Sequence, residues 1–449
     1  GTDGTLGGTG AIANNGTLVF NRSDTVTLDR AVTGTGALSH AGSGTLTLTG
    51  TNSYTGATTI SDGTVQVGDG GTNGTLGGTG AIANDGTLAF NRSDAVTLDR
   101  AVTGTGALSH AGSGTLTLTG DNSYTGATTI SDGTVQVGTG GTTGSLGGGS
   151  VSVASGASLA FDRSDALLSV ANAISGSGSI TQAGSGLTTL SGANTFSGGT
   201  TISAGTLAVA AIADSGTSNL GTSGTLTLAG GTLEYTAATA ATTARLVDIS
   251  NANTTSTINV SDAAGQLTLT GFVRNTDPTH PNVVLNKTGS GTLEIGGAGN
   301  NTNTSLVATD GTTVLNATER AVYEIRALDA GATVRLAQAD QVFNGDAIST
   351  TGNIRMTGGT LDLDGNDQQI FRLIGSDNAT AGTGTITSST AATFTVGNNL
   401  SGRPSIFDGS LTGDLALVTR GSNTVTLTGD NSYTGATTIS DGTLQVGDG

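Results

Sequence analysis

The chain has 449 residues, of which 34% are hydrophobic, 3% aromatic and 76 glycine, with only 3 prolines. That length can enclose a large core, and the glycine comes without collagen's period or the proline of a Pro-rich linker. A formal net charge of −18, from 33 acidic against 15 basic residues, argues against nucleic acid and anionic lipid as partners, and the absence of cysteine removes disulfides and thiolate metal sites.

Apolar residues alternate with polar or small ones in TLTLT, TVQV, TLAF and ALSH, the period-2 signature of strands with one buried face. The words from Gly4 to Gly50 recur from Gly74 with a handful of substitutions, and a more divergent copy begins near Gly144, so residues 1–210 read as three 70-residue units. Within a unit GTL or GTV begins at Gly16, Gly44, Gly63 and then Gly86. Such steps are the length of one coil of a β-solenoid. The expected fold is therefore all-β, a parallel β-helix (β-solenoid) of roughly 20 coils of about 19–28 residues. Parallel crossovers favour a right-handed coil. A single coil cannot bury its inward side chains, whereas the next coil pairs with each strand and seals a core of Leu, Val, Ile and Phe. Gly and Asn/Asp in NNG, NDG and three SDG words supply the tight corners.

Residues 211–420 read as a divergent solenoid with longer corners. GSGTLEIGGAGNNTNTSLVATDGTTVLNA (Gly289–Ala317) is a worn copy of the repeated words, and VRNTDPTHPNVV (Val273–Val284) reads as a protruding loop because X-Pro steps resist pairing. AVYEIRALDA (Ala321–Ala330) is the best helix candidate, though a strand fits it too. Residues 421–449 return to the repeated words, and VGDG matches the stretch preceding Gly71. The opening GTDGTLGG and this ending read as cuts in a larger tandem array, the end running into a further unit. Open ends expose unpaired backbone groups, so neighbouring solenoid units of the same or identical chains are expected to stack end to end.

The words GSGTLTLTG, NSYTGATTIS and DGTVQVG, carried by Gly44–Gly68, Gly114–Gly138, Asn423–Gly447 and more loosely Gly186–Ala208, resemble the autotransporter-associated β-strand repeat of bacterial passenger domains. GGTLDLDGNDQQI (Gly358–Ile370) is similar to a segment common in these passengers. The resemblance implies a right-handed parallel β-helix exported through the outer membrane of a Gram-negative bacterium to the cell surface or medium, with a repeat linked to translocation. It also implies a structural stalk, filament or spacer, or, as the alternative, an adhesin binding a glycan or cell surface through the divergent middle.

Few residues invite a chemical reading. Asp362, Asp364, Asn366 and Asp367 lie close together, but Gly365 is the fourth residue where a helix–loop–helix calcium loop needs its glycine sixth, and Leu373 stands in place of the twelfth-position glutamate. Turn-forming Asp is the plainer reading. His40 and His110 share a place with Gln182, which suits a stacked polar position better than a metal or catalytic histidine. Asp24 with Arg30, and Asp94 with Arg100, read as ion pairs on a solvated face. Tyr54, Tyr124 and Tyr433 share a corner with Phe196, which favours packing over sugar stacking. The charged run Glu319, Arg320, Glu324, Arg326, Asp329 and Arg335, with Arg355 and Arg372, is the one stretch with enough charge for a glycan-active enzyme. Solvated faces are the commoner source of such clusters, and no nucleophile elbow or phosphate loop is present. The expectation is no enzyme and no assigned catalytic, cofactor or metal residue, with no cofactor beyond calcium at an Asp corner.

Overall fold

A computed structural model describes residues 4–216, 218–250, 255–275, 283–297, 304–342, 352–374, 384–397 and 404–447. Two compact units partition the chain: Gly1–Leu207 with Ser215–Ser223, and Ala208–Asp214 with Gly224–Gly449. Among the described residues every element is a strand, and the strands form about 19 solenoid turns.

In the first unit the strands pair in parallel, with a register shift between Val137 and Gly141 and one antiparallel bridge, Asn194 to Ser218. Leu18 stands opposite Leu38, Leu46 opposite Val65 and Val65 opposite Leu88, so each rung takes up one short step of chain. Because side chains alternate across a strand, each in-register step places like positions above one another. One inward column runs Leu28, Leu48, Val67, Phe90, His110, Ile130, Val153, and every member is buried. Fully burying a Leu, Val or Phe contributes about 1.5–3 kcal/mol, and here that burial requires a rung on either side. The spacing between the words at Gly16 and Gly44 is not a rung: Thr17 pairs with Ala37, and Thr45 pairs with Thr25.

Corners follow the composition. In the SDG words Asp62 and Asp132 accept the amides of Gly63 and Gly133 through Oδ1, both at 2.8 Å, and those glycines adopt φ of 59° and 61°, a region other residues rarely occupy. Elsewhere glycine is required because one rung's backbone touches the next. A Cβ on Gly112 would lie 2.0 Å from the carbonyl oxygen and 2.3 Å from the amide nitrogen of Arg92.

The second unit keeps parallel stacking but spends more chain on a rung: Leu233 faces Ile258, and Ile325 faces Ile354. Thr304–Ala317, a 14-residue strand, pairs with Val283–Thr288 along its first half and with Thr292–Gly297 along its second, so the chain rounds this corner without a break. The helix candidate Ala321–Ala330 is a strand from Glu324 onward. Its register against Thr304–Ala317 buries Ile325 and Leu328 and so overrides any helical preference. Of the expected loop Val273–Val284, residues 276–282 lie outside the described residues.

Candidate functional site

The repeated polar residues fold onto the scaffold. His40 and His110 occupy inward columns, and each Nε2–H donates to a carbonyl at the following corner, Gly44 at 3.0 Å and Gly114 at 3.1 Å. Gln182 does the same through Nε2, to Gly184 at 2.8 Å. The residue at this place in the worn copy is Lys287, which sequence reading did not connect with the histidines. Fully buried between Ile258 and Ala308, its Nζ donates to Gly289 at 2.7 Å and Asp310 at 3.1 Å. The four side chains share one task, donating to backbone carbonyls where the chain turns. Burial disfavours positive charge at this place: the His110 imidazolium is pushed below its usual range and the Lys287 ammonium down to about 8.

The arginines behave differently from expectation. Asp24 pairs with Arg22 at 2.5 Å, Asp94 with Arg92 at 2.6 Å and Asp165 with Arg163 at 2.5 Å, whereas Arg30 and Arg100 reach other partners. Arg30 donates to the carbonyls of Gly7 and Gly10, and Arg100 to that of Gly77. The side chains point where the preceding rung leaves carbonyls uncovered, and the aspartate at Asp24 or Asp94 is already held by its nearer arginine. That pairing holds the carboxyls of Asp24, Asp94 and Asp165 below the usual carboxylate range.

Tyr54 and Tyr124 are buried corner residues whose hydroxyls bond the Oγ1 of Thr58 (2.9 Å) and Thr128 (2.7 Å). Tyr433 repeats the bond to Thr437 at 2.6 Å. In the third copy Phe196 cannot make it, and buried Thr200 Oγ1 has no partner. Two positions before each of these aromatics, an asparagine clamps the previous rung. The Oδ1 atoms of Asn52, Asn122, Asn194 and Asn431 accept the amides of Val32, Val102, Ile174 and Leu411, each 20 residues earlier.

The aspartate cluster is also engaged in turns. Asp362 Oδ1 accepts the Asp364 amide at 3.0 Å, Asp367 Oδ1 accepts the Thr393 amide at 2.7 Å, and Asp364 adopts φ 48°. Among the described residues no three His, Asp or Glu side chains converge as a metal site.

One charged groove does form. Strands Glu324–Leu336, Asn353–Arg355 and Arg372–Ile374 lie side by side, so Glu324, Arg326, Asn353, Arg355 and Arg372 line a cleft of about 510 Å³. Glu319, Arg320, Asp329 and Arg335 are not among its lining residues. Glu324 is the lone carboxylate lining the groove among the described residues. It accepts from Ser305 Oγ (3.0 Å), Asn353 Nδ2 (3.3 Å) and Arg326 Nε (3.3 Å). Arg326 is paired with Glu324 and Arg372 Nε donates to the Pro404 carbonyl at 2.8 Å, so the groove is lined by arginines that already have protein partners. Among the described residues it lacks the second carboxyl group that paired-acid glycoside hydrolysis uses.

The passenger-associated-transport-repeat family matches residues 40–67, 110–137, 180–209 and 417–446. Each match takes in the corner position of His40, His110, Gln182 or Thr419, the asparagine clamp and the aromatic corner. A stretch of 171 residues, 38% of this chain, is 32% identical to the "Adhesin BmaC autotransporter" of Brucella suis biovar 1 (strain 1330) and spans 4% of that protein's length. No solved structure matches the chain. Four transport repeats set into a parallel β-solenoid, together with the resemblance to this relative, support an autotransporter passenger domain.

Proposed function

We propose that the chain is a structural segment of a large exported surface protein, a β-helical stalk or spacer displayed at the outer surface of a Gram-negative bacterium. One observation carries this reading: the repeated side chains that resemble chemical groups are engaged in holding the scaffold. The histidines, Gln182 and Lys287 tie corners, the asparagines clamp rungs and the tyrosines bond threonines within the wall. A segment built so supplies length and resistance to unfolding, and its rungs are interchangeable.

A second reading, an adhesin module, is supported by the arginine-lined groove and by the relative's name. Its ligand would be an anionic glycan, recognised through the carboxylate or sulfate that guanidinium groups bind well. A glycan array probed with the intact chain and with Arg355→Gln tests both. The stalk reading expects no glycan retained selectively by either protein. Retention of acidic glycans by the intact chain, lost in the variant, would overturn it in favour of the adhesin.

A further inference from the structure

The repeated words do not return to the same side of the coil. Ile12–Ala13, Thr17–Phe20 and Thr25–Leu28 follow one another before Val32–Thr33 returns to pair with Ile12–Ala13, so one turn has three walls. Three turns carry the second wall from Leu18 through Leu38 and Thr58 to Ile82, six residues short of Leu88, the copy of Leu18. The repeat therefore overshoots three turns by one wall.

Each copy of a word accordingly stands one wall further round. Ile82–Asn84, the copy of Ile12–Ala13, is in the second wall. The next copy, Val151–Val153, is in the third, stacked down through Thr128–Ile130, Ala107–His110 and Thr87–Phe90 to Thr25–Leu28. Val96–Leu98 lies between that third wall and Val102–Thr103, which returns to the second, and so belongs to the first. Ser158–Arg163 stacks above it through Thr134–Gly141 and Thr115–Leu118.

One surface feature travels with the words. The two-bonded pairs of Arg22 with Asp24, Arg92 with Asp94 and Arg163 with Asp165 each mark an edge, beside exposed Ser23, Ser93 and Ser164. The first pair sits between the second and third walls, the next between the third and first, and the last between the first and second.

We infer that the repeat length is a device for valency: it turns the Arg–Asp edge to each of three sides in succession, so separate globular proteins can occupy adjacent repeats at once. A protein interface of ordinary size covers about 800 Å² on each partner, roughly 30 Å across. One repeat rises only a little over three rungs, about 16 Å at about 4.8 Å each. Partners on one edge of adjacent repeats would collide, whereas partners on different edges diverge. A repeat of three whole turns would keep every copy of the edge on one side and forbid this occupancy. The inference rests on the solenoid and holds under either functional reading.

The absence of cysteine permits a direct test with the full 449-residue chain. Ser93→Cys with Ser164→Cys places short-linked biotins on adjacent copies of the edge. Ser93→Cys with Ser155→Cys places them on one edge three turns apart, because exposed Ser155 follows Val153 in the third wall as Ser93 follows Phe90. Both variants are checked for unchanged far-ultraviolet circular dichroism and saturated with monovalent streptavidin, a globular protein far wider than the about 14 Å between the second pair. Light scattering after size exclusion should show two streptavidins per chain for Ser93 with Ser164, and loss of the second for Ser93 with Ser155. A single streptavidin on the first variant, or two on the second, overturns the assignment of sides.

Discussion

The aromatic corner gives a prediction with both signs built in. Tyr124 and Thr128 bond through their hydroxyls at 2.7 Å inside the wall, whereas Phe196 leaves the buried Thr200 hydroxyl without a partner. Tyr124→Phe should reproduce the third copy's defect in the second: the lost bond and the orphaned Thr128 hydroxyl together cost about 1–3 kcal/mol. Phe196→Tyr should do the reverse, since its new hydroxyl meets Thr200 as Tyr124 meets Thr128, and should stabilise by about 1 kcal/mol. A long repeat array does not unfold in one step, so a global midpoint is the wrong readout. Hydrogen exchange read by mass spectrometry on peptides covering 122–130 and 194–202 reports each corner separately. A change of about 1 kcal/mol alters protection about fivefold, upward for Phe196→Tyr and downward for Tyr124→Phe. If Phe196→Tyr lowers protection, or Tyr124→Phe leaves it unchanged, the hydroxyl pair is not what holds this corner.

Two more perturbations follow from the rung contacts. Gly112→Ala places a methyl 2.0 Å from the Arg92 carbonyl oxygen, a backbone atom that no rotamer change can move. Separating the rungs costs about 1–3 kcal/mol of overpacking and strips the 3.1 Å bond from the Gly114 amide to the same oxygen. The expected loss is about 3–5 kcal/mol, seen as collapsed exchange protection in residues 107–118, and wild-type protection there would contradict it. For Lys287 the unfolded chain keeps its proton to about 10.4 whereas burial lowers the folded value to about 8. The folded value lies below the unfolded one, so below about pH 8 the whole cost of burying the cation is present, and it is relieved as pH rises from about 8 to about 10.5. Lys287→Gln, which keeps a donor as Gln182 does, should be more stable than wild type at pH 7. That advantage should shrink across this interval, measured as the difference in exchange protection, corrected for the intrinsic rate at each pH, of peptides covering 283–295; a pH-independent difference would refute the assignment.

The coil and its corners were legible because the sequence carries them as period-2 words separated by SDG turns, and parallel stacking is what buries such words. The inward histidine was also within reach. In ALSH, His40 shares parity with Leu38, and parity alone places both on the core face. Lys287 follows Leu285 in the same way. Arg30 could not be placed from sequence, since its partners are carbonyls of the preceding rung exposed by the path of a corner. Nor could the arginine groove be separated from its charged surroundings. Arg326, Arg355 and Arg372 meet only because one long step and one short one bring Ile325, Ile354 and Leu373 into register, and no repeated word marks those steps.

The central claim is that sequence distance is converted into height one rung at a time. Thr27, Thr129, Ser152 and Ser175 occupy a single outward column, with Thr129, Ser152 and Ser175 five, six and seven rungs from Thr27. Nitroxide labels at Thr27 paired with each of the other three, measured by pulsed electron–electron double resonance, should give separations of about 24, 29 and 34 Å, rising by about 4.8 Å per rung. Distances that fail to rise in that order, or whose steps differ clearly from about 4.8 Å per rung, would contradict it.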